Sequence, residues 1–162
     1  MGLRPPPVRP EDEGPRQATN GAGAPARTVH HCFPLSMELK KEVCVMKFLF
    51  VLHDPPYGTE RTYNGLRWAR QMIDVDGNNE VRMFMFGDAV VATAGGQKVP
   101  NGYYNLANMI HSFTSKGGVV GNCGACMDAR SLAEDRLVTG AHRSSMAELA
   151  EWTAWADRVI NV

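Results

Sequence analysis

Cys123 and Cys126 stand three positions apart in Cys123-Gly124-Ala125-Cys126, a spacing that lets two thiols act on sulfur together. The thiolate, not the thiol, is the nucleophile, so the chemistry depends on what favours ionisation there. A β-branched run, Gly118-Val119-Val120-Gly121-Asn122, precedes the pair, and the chain from about Met127 reads as helix. The pair is therefore expected on a strand-to-helix turn, where unpaired backbone N–H groups point outward. A free cysteine titrates near about 8.5, and a helix start contributes at most about 2 kcal/mol, which lowers the thiol by about one unit toward neutrality. Arg130, one helical turn or so further on, is expected to curl back toward Cys123 and add a positive charge. Gly121 and Gly124 suit an exposed turn.

Four outcomes fit such a pair. In sulfur transfer, the Cys123 thiolate takes a sulfur atom from a donor persulfide, and Cys126 is close enough to release it by forming a disulfide. In thiol–disulfide redox the pair cycles without carrying sulfur, but the thioredoxin arrangement places Cys-x-x-Cys after an early strand, whereas here it follows a later one. A zinc site needs four ligands, and the folded part adds only His53, His111 and His142 at no zinc spacing, so no metal is expected. The remaining outcome is a pair of inert core thiols in a binding protein.

The rest of the chain bounds these choices. It has 162 residues, 17 basic and 17 acidic side chains and 44% hydrophobic content, the composition of one soluble globular domain. The charges are interspersed with no basic stripe, so direct nucleic-acid binding is not expected. No apolar run approaches the roughly twenty residues a bilayer requires, and no secretory layout opens the chain. A cytoplasmic location is expected, where a close cysteine pair is more often reactive or metal-bound than structural. Residues 1–36 contain seven of the ten prolines and few aliphatic residues, so residues 1–45 are expected to be a disordered extension, dispensable or non-native. Glu11-Asp12-Glu13 argues against organelle targeting, and Cys32 and Cys44 fall in the same extension.

From Met46 the chain can fold. Lys47–His53 is a continuous apolar run, the mark of a strand covered on both faces. Loop 54–58 follows, then a helix from Glu60 to Ile73 capped by Thr59. A turn at 76–79 leads to a strand over 80–86, and Asp88 is expected to cap a short helix stopped by Gly95-Gly96. A further helix from Tyr103 through Phe113 leads to the strand before Cys123. Beyond the cysteines the pattern predicts a helix of about two turns, a strand over 137–142, and a capping box at Ser145-Met146-Ala147-Glu148 opening a helix to Asp157. Trp152 and Trp155 lie partly off its apolar stripe and suit either the core or a subunit contact. A closing strand spans 158–162. Alternating strands and helices imply a three-layer α/β domain over 46–162, with a mostly parallel sheet of about five strands and helices on both faces. Sites in such sheets lie at the carboxyl ends of strands, which points to the cysteine loop and to Tyr57, Glu60, Asp88 and Lys98 as pocket candidates.

Five motifs occur in order: Asp54-Pro55-Pro56-Tyr57-Gly58-Thr59-Glu60, Gly87-Asp88-Ala89-Val90, Gly96-Gln97-Lys98, Cys123 through Arg130, and Glu148-Leu149 with Trp152 and Ala156-Asp157. Together they resemble the DsrE-like sulfur-relay family, specifically its YchN-like branch, over residues 46–162. The resemblance implies the DsrEFH-like fold shared with TusD and DsrE, a cytoplasmic homotrimer or homohexamer, and no cofactor. It also implies a sulfurtransferase-type carrier that holds sulfane sulfur as a persulfide on Cys123 between donor and acceptor proteins. Gly124, Asp128 and Arg130 would support that cysteine, and Cys126 is a feature of the branch. Ser131 replaces a glycine expected after Arg130, and His53 replaces a small or amide residue. A Cys-x-x-Cys redox protein and a non-catalytic oligomeric binding protein are the alternatives.

Overall fold

The computed structural model of the chain describes residues 45–162; the disorder expected of residues 1–45, and Cys32 and Cys44 with it, falls outside the described residues except for Val45. The apolar run after Met46 forms β1 (Lys47–Leu52), whose last five residues are all buried. Then come α1 (Arg61–Asp76), β2 (Glu80–Met85), a 3-10 helix (Gly87–Thr93), α2 (Leu106–Thr114), β3 (Val119–Cys123), α3 (Gly124–Asp128), a 3-10 turn (Glu134–Arg136), β4 (Ala141–Ser144), α4 (Met146–Trp155) and β5 (Arg158–Asn161).

The five strands make one sheet in the order β4-β3-β2-β1-β5, parallel throughout. The chain steps outward from β1 to β4, then crosses the whole sheet through α4 to set β5 beside β1. Right-handed crossovers therefore put α1 and α2 on one face and α4 on the other. Side chains agree: Trp68 of α1 meets Phe50 edge-on at 5.4 Å, and Trp152 of α4 meets Phe84 edge-on at 6.2 Å. The expected three-layer α/β architecture is thus the one observed.

Several boundaries differ, each for a local reason. Thr59 does not cap α1; its hydroxyl donates to Asp54 Oδ2 at 2.6 Å, and Glu60 holds the cap position without a side-chain hydrogen bond. The helix runs past Ile73 to Asp76 and stops where Gly77 turns left-handed at φ 66°. Helix α2 starts at Leu106 because Asn105 caps it, accepting from Asn108 N–H at 3.0 Å, and Tyr103 stays outside and exposed. The strand expected over 137–142 is Ala141–Ser144 instead, with Leu137 reduced to one antiparallel bridge to Ala94. Helix α4 ends at Trp155, and only half of its capping box forms. Ser145 Oγ accepts from Glu148 N–H at 3.2 Å, while the Glu148 carboxylate goes to Ser144 and His142.

Trp152 is 5% exposed and completes the core, while Trp155 is half-buried beneath Arg82, whose guanidinium lies 3.9 Å from the ring centroid. The helix after the cysteines begins at Gly124 rather than Met127 and spans five residues instead of two turns. It ends because Ser131 takes φ 51°, a left-handed conformation that suits glycine, and Leu132 N–H returns to Met127 O. That backbone is the physical reason a glycine is expected at this position.

Candidate functional site

Strand β3 delivers the cysteines, and a buried polar tie fixes its end. Asn122 is fully buried; its Oδ1 lies 2.9 Å from Thr93 Oγ1, and its Nδ2 donates to His142 O at 3.1 Å. One side chain thus joins the 3-10 helix, β3 and β4 at the residue before Cys123. Thr93→Val should leave Asn122 Oδ1 buried without that partner and cost about 1–3 kcal/mol in urea unfolding. A loss below about 0.5 kcal/mol would mean that the tie carries little.

Cys123 occupies the cap of α3, and its Sγ accepts from Cys126 N–H at 3.4 Å. Cys126 Sγ in turn accepts from Gly87 N–H at 3.3 Å, which ties the pair to the loop after β2. Both thiols are free; Cys123 is buried at 6% exposure and Cys126 is half-buried. The exposed turn with a near-neutral thiolate is therefore corrected. Burial pushes the Cys123 thiol up, the neighbouring Cys126 thiol raises it further, and the N–H groups of Cys126 and Ala125 pull it down without offsetting this. The glycines do not mark exposure. A Cβ at Gly121 would stand 3.0 Å from the Trp152 ring, and Gly124 is buried beneath Arg143.

The expected role of Arg130 is corrected as well. Its guanidinium binds Asp88 Oδ1 through Nε at 2.9 Å and Nη2 at 2.6 Å, and Nη1 donates to Cys126 O at 3.0 Å. It braces the loop rather than reaching Cys123, and Asp88 enters the site as its anchor instead of as a helix cap. Asp128 forms a two-bond bridge to Arg143, Nη1 to Oδ1 and Nη2 to Oδ2, each 2.8 Å. Hydrogen bonding from Arg143 holds the Asp128 carboxyl below its usual range. Arg143 is the residue that the sequence reading missed, because only the pairing of β4 with β3 brings it here.

The other pocket candidates gather elsewhere. Tyr57 stacks on Tyr104 at 5.6 Å, Tyr104 stacks on Tyr63 at 3.9 Å, and the Tyr57 hydroxyl donates to Tyr104 O at 3.2 Å. Burial and then the nearby Glu60 carboxylate raise the Tyr104 phenol, so Tyr57 and Glu60 belong to this aromatic patch and not to the cysteine loop. Lys98 is exposed on the neighbouring loop. His53 Nε2 lies 3.1 Å from Asn161 Oδ1, His142 Nε2 lies 3.1 Å from both Glu148 oxygens, and His111 is exposed on α2. Among the described residues no group of three or more His, Cys, Asp or Glu side chains is placed to hold a metal ion, and no helix is long and apolar enough to cross a membrane.

This arrangement is matched in known proteins. The chain is 34% identical to Protein YchN of Escherichia coli strain K12 over 116 residues, 72% of this chain and 98% of YchN. It is also 34% identical to an uncharacterized protein of Methanopyrus kandleri over 110 residues, 68% of this chain and 88% of that protein. The crystal structure of the Escherichia coli ychN protein superposes with a TM-score of 0.69, covering 73% of this chain and all of the other, at 34% identity. A protein of unknown function from Methanobacterium thermoautotrophicum shares the fold at 11% identity, with a TM-score of 0.59. The DsrE/DsrF-like family model matches residues 46–162. Over that span, by sequence and by fold alike, the chain belongs to the DsrE/DsrF-like family.

Proposed function

We propose that this protein is a cytoplasmic sulfur carrier that holds sulfane sulfur as a persulfide on Cys123 and exchanges it with donor and acceptor proteins, working as a homotrimer or homohexamer. The observation that carries the reading is the placement of the pair: Cys123 caps α3, its sulfur accepts from Cys126 N–H at 3.4 Å, and Cys126 Sγ accepts from Gly87 N–H at 3.3 Å. Family membership supports it. In the loading step the Cys123 thiolate attacks the outer sulfur of a donor persulfide. A bond forms between Cys123 Sγ and that sulfur, the donor's own S–S bond breaks, and the donor leaves as a thiolate that takes a proton. Unloading follows one of two routes. An acceptor thiolate takes the outer sulfur, or Cys126 attacks Cys123 Sγ, closing a disulfide and expelling hydrosulfide; a thiol reductant must then reopen the pair.

The thiol–disulfide reading draws on the same placement of the two cysteines, so the test must separate carriage from oxidation. Fully reduced protein incubated with a small-molecule persulfide donor should gain one sulfur atom in the intact mass spectrum, lost again on treatment with dithiothreitol. Loss of two hydrogen atoms with no sulfur bound at any time would replace the carrier reading with the redox one.

A further inference from the structure

We propose that Arg143 is the counter-cation for anionic sulfur on Cys123, held in position by Asp128. The inference rests on the carrier reading and names the group that makes a buried sulfur anion tolerable. In the register of β3 and β4, Asn122 faces Arg143 and Cys123 faces Ser144, so the arginine sits one position back from the reactive residue on the adjoining strand. Its Cζ, Nε and Nη2 each lie 3.0 Å from where a Cβ on Gly124 would stand. The guanidinium therefore lies flat over the backbone next to Cys123, in space that exists because residue 124 has no side chain. Asp128 takes one N–H each of Nη1 and Nη2, and no hydrogen bond among the described residues uses the Nε–H, so guanidinium donors stay unspent over Gly124, the residue next to Cys123.

Glu134 also acts on Arg143, while the other neighbouring charges are already committed. Arg130 is bound to Asp88, the Glu148 carboxylate to Ser144 and His142, and Cys126 Sγ to Gly87 N–H. The Asp128 carboxylate tempers the field of Arg143, but its side chain is 64% exposed against 39% for the arginine, so water screens it more than the guanidinium face pressed onto buried Gly124. A carboxylate on the outer side fixes the fork, and the inner face of the guanidinium covers Gly124, the residue next to Cys123. Arg143 acts on Cys123 as a positioning and charge-balancing residue.

The test uses full-length protein carrying Cys32→Ser, Cys44→Ser and Cys126→Ser, so that Cys123 is the sole thiol. Its alkylation by iodoacetamide is followed from neutral to alkaline pH. Adding Arg143→Gln should move the midpoint of the profile up by about one unit and slow alkylation about tenfold at neutral pH. Gly124→Ala, whose Cβ would displace the guanidinium without removing its charge, should move the midpoint the same way. Profiles unmoved in both variants, with melting transitions intact, would overturn the proposal; if Arg143→Gln does not fold, Gly124→Ala decides it. Alkylation needs no persulfide donor, so a shifted midpoint in a protein that never loads sulfur would retain Arg143's role and discard the carrier. Loading with an unmoved midpoint would do the reverse.

Discussion

Cys123→Ser is expected to abolish sulfur loading completely while leaving a folded chain. Cys126→Ser is expected to load one sulfur and to keep it in the absence of an acceptor. The asymmetry follows from position. Cys123 closes the strand and caps α3, so a hydroxyl there can still accept Cys126 N–H, but it cannot form a persulfide. Removing Cys126 takes away the internal route that expels hydrosulfide and leaves the loading sulfur in place. Burial raises the Cys123 thiol above the ordinary cysteine value, so its thiolate is scarce at neutral pH and grows as pH rises. Loading should accelerate about tenfold per pH unit below the midpoint and level off above it. The same shift has a stability consequence of opposite direction. The protonated thiol favours the fold below the unfolded value of about 8.5, and that contribution is lost as pH climbs through the raised folded value. Sulfur appearing on Cys123→Ser but not on Cys126→Ser would transfer the carrier role to Cys126.

The second large effect concerns what presses the sheet from its other side. Trp152→Ala should cost about 3–5 kcal/mol in urea or thermal unfolding, lowering the melting midpoint by about 10–20 °C. Among the described residues α4 is the only helix assigned to its face, and Trp152 is its one buried residue. The indole meets Phe84 edge-on at 6.2 Å and His142 at 5.9 Å, lies beneath Arg82 at 5.3 Å, and fills the space over Gly121 in β3. Truncation opens a cavity that neighbours on three strands cannot close, and a Phe substitution should recover part of the loss. A cost below about 1 kcal/mol would mean that the α4 face contributes little to the fold. Because Gly121 lies two residues before Cys123, this face also supports the cysteine loop from below.

Much of the architecture was legible from one-dimensional pattern. The unbroken apolar run at Lys47 demanded a strand covered on both faces, and β1 is the second strand from one edge with a helix layer on each side. Helix ends were less legible because capping residues choose among local partners. Thr59 found the Asp54 carboxylate and Glu148 found Ser144 and His142, neither of which adjacency in sequence reveals.

The sequence by itself determined the alternation of strands and helices, the placement of the thiols at the carboxyl end of a later strand, and the family, because these depend on the local periodicity and order of residues. Only the tertiary structure decided that Cys123 is buried, that Arg130 serves Asp88, and that the arginine over the turn after Cys123 is Arg143, twenty positions further along. Arginine side chains are long and several lie within reach of one loop, so strand register and competing carboxylates select the partner. Desolvation likewise depends on how much of the rest of the chain packs above a residue, which no local stretch can specify.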